Sequence, residues 1–168
     1  MKRTITMMLG TALLLGVASS ALAQDNKPSG ISLRAGLFLP TDRGARDVSD
    51  SWFAGGIDYK IKDMGDMNGN SSLGLSLDFT GKGGFRTVPL LLNYIVHRDQ
   101  LYFFGGAGIS FSRFASGGGS EDKTEFAYQA GAGYEFQKGQ TPLFFEAKFM
   151  GNGRSALNGF GFFIGARL

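Results

Sequence analysis

The chain has 168 residues, with 17 Lys and Arg against 14 Asp and Glu, one His and no Cys. That length fits one domain, and the lack of Cys excludes a disulfide framework and thiolate chemistry. Lys2 and Arg3 lie in an N-terminal segment expected to be removed, which leaves 15 bases against 14 acids and no electrostatic footprint for nucleic acid.

The opening "MKRTITMMLGTALLLGVASSALAQ" has the three parts of a secretory signal: two bases, an apolar stretch from about Met7 to Val17, and Ala21-Leu22-Ala23 as a cleavage site. The apolar stretch is shorter than the ~20 residues of a membrane-spanning helix. Residues 1–23 are therefore expected to be a cleaved signal peptide, and residues 24–168 the mature domain.

Beyond it, apolar residues never hold helical spacing for more than a turn or so, whereas alternation with a period of two recurs eight times. The first predicted strand, Ile31 to Leu39, sets Ile31, Leu33, Ala35, Leu37 and Leu39 against Ser32, Arg34, Gly36 and Phe38. The second, Trp52 to Ile61, opposes Phe53, Ile57, Tyr59 and Ile61 to Ala54, Gly56, Asp58 and Lys60. The third, Ser72 to Thr80, alternates strictly, with Leu73, Leu75, Leu77 and Phe79 against Ser72, Gly74, Ser76, Asp78 and Thr80.

The fourth, about Arg86 to Val96, is apolar on both faces and contains Pro89, so its register is open. The fifth, Leu101 to Arg113, opposes Phe103, Ala107, Ile109 and Phe111 to Phe104, Gly106, Gly108, Ser110 and Ser112. The sixth, Thr124 to Gln137, carries Glu125, Gln129 and Glu135 on its polar face, and the seventh, Leu143 to Met150, carries Glu146 and Lys148. The eighth is the closing segment "GFGFFIGARL", with Phe160, Phe162, Ile164, Ala166 and Leu168 on one face and Gly159, Gly161, Gly165 and Arg167 on the other.

Eight strands joined as successive hairpins, with both ends on one side, predict an all-β fold: an eight-stranded up-and-down antiparallel transmembrane β-barrel. Residue size decides which face is outside. An eight-stranded barrel has an interior just wide enough for side chains to fill. The Gly, Ser and Ala of the polar face, interspersed with long charged side chains, suit that crowded lumen. The apolar face is nearly free of charge and bears aromatics toward strand ends, as lipid contact requires. A soluble periplasmic lipocalin-like lipid-binding barrel, with the apolar face inward, is the alternative. "HRDQ" and "KGQT" read as short turns on the side of the termini; the loops near residues 41–51, 81–85, 114–123 and 151–159 are expected to face outside.

The segments "TVPLLLNY", "FFGGAGISF", "AYQAGAGYEF" and "LFFEAKF", with the signal peptide and the strand pattern, resemble the small outer-membrane β-barrel family that includes the OmpA transmembrane domain and OmpX. The resemblance covers the whole mature chain and implies insertion into outer-membrane lipid by the barrel-assembly machinery, which reads the last strand. Phe160, Phe162, Ile164, Ala166 and Leu168 would form that assembly signal. Family members usually end on Phe or Trp, and this chain ends on Leu168.

The predicted lumen charges are Arg34, Asp58, Lys60, Asp78, Glu125, Glu135, Glu146, Lys148 and Arg167, five acids and four bases. Buried charges must pair, so these are expected to form a plugging salt-bridge network, with Arg167 as a candidate partner for Glu146; an ion or proton path along them is the sharper reading. The single histidine, His97, lies beside a turn with Asp99, a setting that suits solvent better than a catalytic dyad; Lys- or Tyr-based chemistry stays open. In "DMNGN", Asp66 to Asn70, oxygen-bearing residues alternate as in a calcium loop, but Ser71 and Leu77 stand where that loop needs Gly and Glu. Gly105, Gly106 and Gly108 lack a following helix for a phosphate loop and read as lumen positions admitting bulky neighbours. No cofactor, no metal and no catalytic residue is expected. The functional expectation is an outer-membrane barrel of structural or interaction type, and the alternative is a narrow channel for small solutes or hydrophobic molecules.

Overall fold

The computed structural model describes residues 30–64, 70–116, 119–137, 139, 141–153 and 157–168. The expected signal peptide and all of "DMNGN" except Asn70 lie outside the described residues. Eight strands form one closed barrel in sequence order: β1 (Ile31–Pro40), β2 (Trp52–Met64), β3 (Ser71–Lys82), β4 (Phe85–Arg98), β5 (Leu101–Ser116), β6 (Gly119–Gln137), β7 (Leu143–Asn152) and β8 (Gly159–Arg167). Every neighbouring pair is antiparallel, and β1 closes on β8 from Ser32 opposite Arg167 to Pro40 opposite Gly159. Closure leaves no strand edge unpaired, the condition for a sheet to stand in lipid.

Faces follow the pleat. On β3, Ser76, Asp78 and Thr80 are buried while Leu75, Leu77 and Phe79 are exposed. The same alternation turns Phe103, Ile109, Phe126, Phe145, Phe160, Phe162 and Ile164 outward. The apolar side chains that a lipocalin-like barrel would keep inside are on the outside.

The structure settles β4. Thr87, Pro89, Leu91 and Asn93 are buried and Leu92 and Tyr94 exposed. The paired positions of β3 and β4 run from Ser71–Val96 to Leu77–Leu90 and resume at Thr80–Thr87, leaving a break opposite Pro89, which has no N–H to donate.

Three features depart from expectation. The β5–β6 hairpin continues past Arg113 to Ser116 opposite Gly119, so most of "ASGGGSEDK" is paired strand: backbone hydrogen bonding there prevails over a Gly- and Ser-rich composition. β2 extends to Met64 through a register shift between Lys60 and Lys62. Within the expected loop 41–51 lies a short helix, α1 (Arg43–Val48), started by the Asp42 carboxylate accepting from Ala45 N at 3.1 Å.

α1 covers one end of the barrel, here the helix end; Ile31 and Leu168, joined by a backbone hydrogen bond, mark the other, here the terminal end. Ala45 of α1 packs into a cluster with Phe38, Trp52, Ala54, Met150, Leu157 and Phe163, and Phe85 lies against it. The Trp52 ring centroid is 5.7 Å from those of both Phe38 and Phe85, and its indole N–H donates to Ser49 O at 3.0 Å. Thr41 N and its hydroxyl both donate to Asn158 O at 2.9 Å, tying the β1–β2 and β7–β8 connections together over this apolar cap.

Candidate functional site

Below the cap the lumen is polar, and the strands place its charges by register. Arg34, Gly56 and Asp78 lie in one row across β1, β2 and β3. Glycine leaves nothing between the outer two, so the Arg34 guanidinium reaches Asp78 Oδ1 through Nη2 at 2.7 Å and through Nε at 3.1 Å. Its Nη1 donates to Asp58. From β7, Lys148 Nζ reaches Asp78 Oδ2 at 2.9 Å, and Glu146 Oε1 stands 3.6 Å from both Arg34 Nε and Lys148 Nζ. Asp78 thus accepts from two cations on its two oxygens.

The side chains of Asp78 and Lys148 have no exposed surface, and those of Arg34 and Glu146 almost none. Phe163 supplies one wall, its ring centroid 4.8 Å from Lys148 Nζ and 5.6 Å from Arg34 Cζ, within range of a cation–π contact. Three carboxylates (Asp58, Asp78, Glu146) face two cations (Arg34, Lys148) here, and the Tyr102 hydroxyl donates to Glu146 Oε2 at 3.1 Å.

The same device occurs twice more. Asn93, Gly106 and Gln129 share a row across β4, β5 and β6, and Gln129 Nε2 donates to Asn93 Oδ1 at 2.7 Å over the glycine. Both amides also donate to Ser76 Oγ. Tyr102, Gly133 and Glu146 form the third row, and a Cβ at residue 133 would run into the Tyr102 ring. Toward the helix end, a cavity of about 10 Å³ bounded by Thr80, Thr87, Ser110 and Leu157 has room for about one water.

The predicted charges divide. Arg34, Asp58, Asp78, Glu146 and Lys148 come together in the cluster. Arg167 does not meet Glu146: it pairs with Glu135, Nε to Oε1 at 2.7 Å, toward the terminal end, and its guanidinium lies 5.0 Å from the Tyr102 ring. Lys60 is a correction in part: opposite Gly74 it keeps the inward register of Asp58, but it lies at the exposed rim, outside the cluster, with its Nζ 3.1 Å from Asp63. Glu125 lies away from the cluster, near Gly153 at the helix end. Gly105 is a second correction, since it faces outward and only Gly106 and Gly108 face the lumen. The ring of His97 lies 5.7 Å from that of Tyr102. Phe160, Phe162 and Ile164 are exposed along β8, with Ala166 and Leu168 half-buried at its end.

Tyr102, Asn93 and Phe163 were not legible as site residues. The "FF" of Phe162-Phe163 hides which ring turns inward, and only the small residues flanking each row signal a bulky partner.

A closed antiparallel barrel with an apolar exterior and a packed polar lumen is a transmembrane β-barrel of the small eight-stranded kind. Solved structures of that kind resemble it. The Yersinia pestis outer membrane protein Ail in a phospholipid bilayer nanodisc matches with a TM-score of 0.51 at 14% identity, over 81% of this chain and 96% of that one. The N-terminal β-barrel domain of Pseudomonas aeruginosa OprF matches with a TM-score of 0.50 at 15% identity, over 84% and 97%. A crystal structure of Ail gives 0.50 at 15% identity, over 82% and 93%. No family model and no curated protein sequence matches the chain.

Proposed function

We propose that this protein is an integral outer-membrane barrel of structural or interaction type whose lumen is closed. One observation carries the reading: Asp78 is shared by Arg34 and Lys148 in the buried lumen, beneath a cap formed by Trp52 and α1. Charges held this way resist separation, because breaking a buried pair by removing one partner costs about 3–5 kcal/mol. A solute would have to separate them and displace the cap.

The outward apolar face and the resemblance to outer-membrane barrels support the location. In this reading the short turns and the termini face the periplasm, the cap faces outside, and β8 presents Phe160, Phe162, Ile164, Ala166 and Leu168 to the assembly machinery. Two experiments test it. The protein should fractionate with outer membranes and migrate differently on gels when boiled and unboiled; recovery as a water-soluble monomer would overturn it. Purified protein in planar bilayers should show no conductance, and steady single-channel steps would establish the narrow-channel alternative.

A further inference from the structure

On the outer wall, near the helix end, β3 to β6 enclose a groove of about 480 Å³ that the lumen reading leaves unexplained. Its lower part is apolar, with Val88 on β4 standing between the larger outward rings of Phe79 on β3 and Phe111 on β5. A small residue between two aromatics makes a trough. Two residues further toward the helix end on β4 and β5, Arg86 and Arg113 are direct cross-strand partners on the same face. Like charges placed so destabilise a sheet.

Among the described residues, acidic partners stand on the Arg113 side. Arg113 Nε pairs with Asp122 Oδ1 at 3.1 Å, and nearby Lys123 pairs with Glu121 at 2.7 Å, all on exposed side chains where such pairs contribute little. Arg86 has no ion pair among the described residues.

We infer that this groove binds a net-anionic, phosphorylated lipid of the adjacent leaflet, its phosphate between Arg86 and Arg113 and an acyl chain along Val88. Guanidinium groups suit a phosphate because their forked N–H donors match its oxygens. The apolar trough below argues for a lipid over a free phosphate, which would leave Phe79, Val88 and Phe111 unused. The inference rests on the membrane reading, since it places this face in lipid.

The test uses the whole protein folded into phosphatidylcholine vesicles, alone, with a few mole per cent of lipid A as a diphosphorylated probe, or with inorganic phosphate in the buffer. The readout is the temperature at which the compact unboiled gel band converts to the unfolded one, which a ligand of the folded state raises. Lipid A should raise it and inorganic phosphate should not. Arg86→Gln should weaken the dependence on lipid A by about tenfold, Arg86→Gln with Arg113→Gln by more, and Arg86→Lys should retain part of it. Lys62→Gln, at the terminal end, should respond as the parent does. An equal rise in the double variant, or the same rise with inorganic phosphate, would overturn the lipid site while leaving the barrel reading intact. Failure of the parent to fold into any vesicle would overturn both.

Discussion

Arg34 and Asp78 stand on strands that do not pair, yet they bond at 2.7 Å because the position between them is Gly56. Neighbouring strands are about 4.8 Å apart, so partners two strands apart must span roughly 10 Å. Long side chains cover that distance only where the intervening residue has none. Asn93 and Gln129 over Gly106, and Tyr102 and Glu146 over Gly133, repeat the arrangement. Part of the glycine excess is thereby explained as clearance for polar bonds across the lumen.

That clearance predicts a contrast between two glycines. Gly133→Ala would force the added methyl into the Tyr102 ring, whereas at outward-facing Gly105 the nearest atom is 3.9 Å away. Overpacking should cost Gly133→Ala about 1–3 kcal/mol, read as a lower urea midpoint for folding into vesicles. Gly105→Ala should stay close to the parent. Similar midpoints for the two would mean that Tyr102 does not lie over residue 133.

A second prediction concerns Asp78. Asp78→Asn removes the carboxylate that both Arg34 and Lys148 use, so it should destabilise by about 3–5 kcal/mol. Adding Lys148→Gln should cost less than the sum of the single changes, with a coupling of about 0.5–3 kcal/mol. Lys60→Gln, at the exposed rim, should move the midpoint by no more than about 1 kcal/mol. Additive costs for Asp78 and Lys148 would show that the two side chains do not meet in the folded barrel.

The fold was legible because a period of two survives one-sided burial: the Leu75-Ser76-Leu77-Asp78 alternation reads the same in sequence and in structure. The site was legible only as a set of inward charges. Sequence shows which residues share a face, and it tempted a pairing of Glu146 with Arg167 on the adjacent strand. The actual partners lie on β7 itself and two strands away on either side, on β1 and, at Tyr102, on β5. Lys60 falls outside the cluster because it stands at the rim, and a shared face carries no sign of depth; α1 was missed because its six residues bury only Ala45.

A third prediction concerns the face turned to lipid. Leu75 is 38% exposed near the middle of β3 while Ser76 beside it is fully buried. Leu75→Arg should cost roughly 2–4 kcal/mol if it lies near the bilayer midplane, and should lower folding yield in vesicles more than in detergent micelles, where the side chain finds water more readily. Ser76 accepts from Asn93 and Gln129, so Ser76→Arg should be damaging in both media. Equal tolerance of Leu75→Arg in both media would remove residue 75 from the lipid face.

The fourth prediction uses the only tryptophan in the chain, Trp52. Although it begins a strand of a barrel with an aromatic exterior, its side chain points into the cap, with no exposed surface. Its emission in the folded protein should lie toward the blue, as for an apolar site. It should resist aqueous iodide, because α1 and Leu157 help close the cap above it, and brominated acyl chains should quench it only weakly, because the barrel wall stands between the ring and lipid. The two quenchers therefore fail for different reasons. Strong quenching by brominated lipid would place Trp52 outside, and since a one-residue slip exchanges every side chain between faces, β2 would be inverted and Gly56 no longer between Arg34 and Asp78. Strong quenching by iodide alone would leave the register intact and open the cap, and with it the case for a closed lumen.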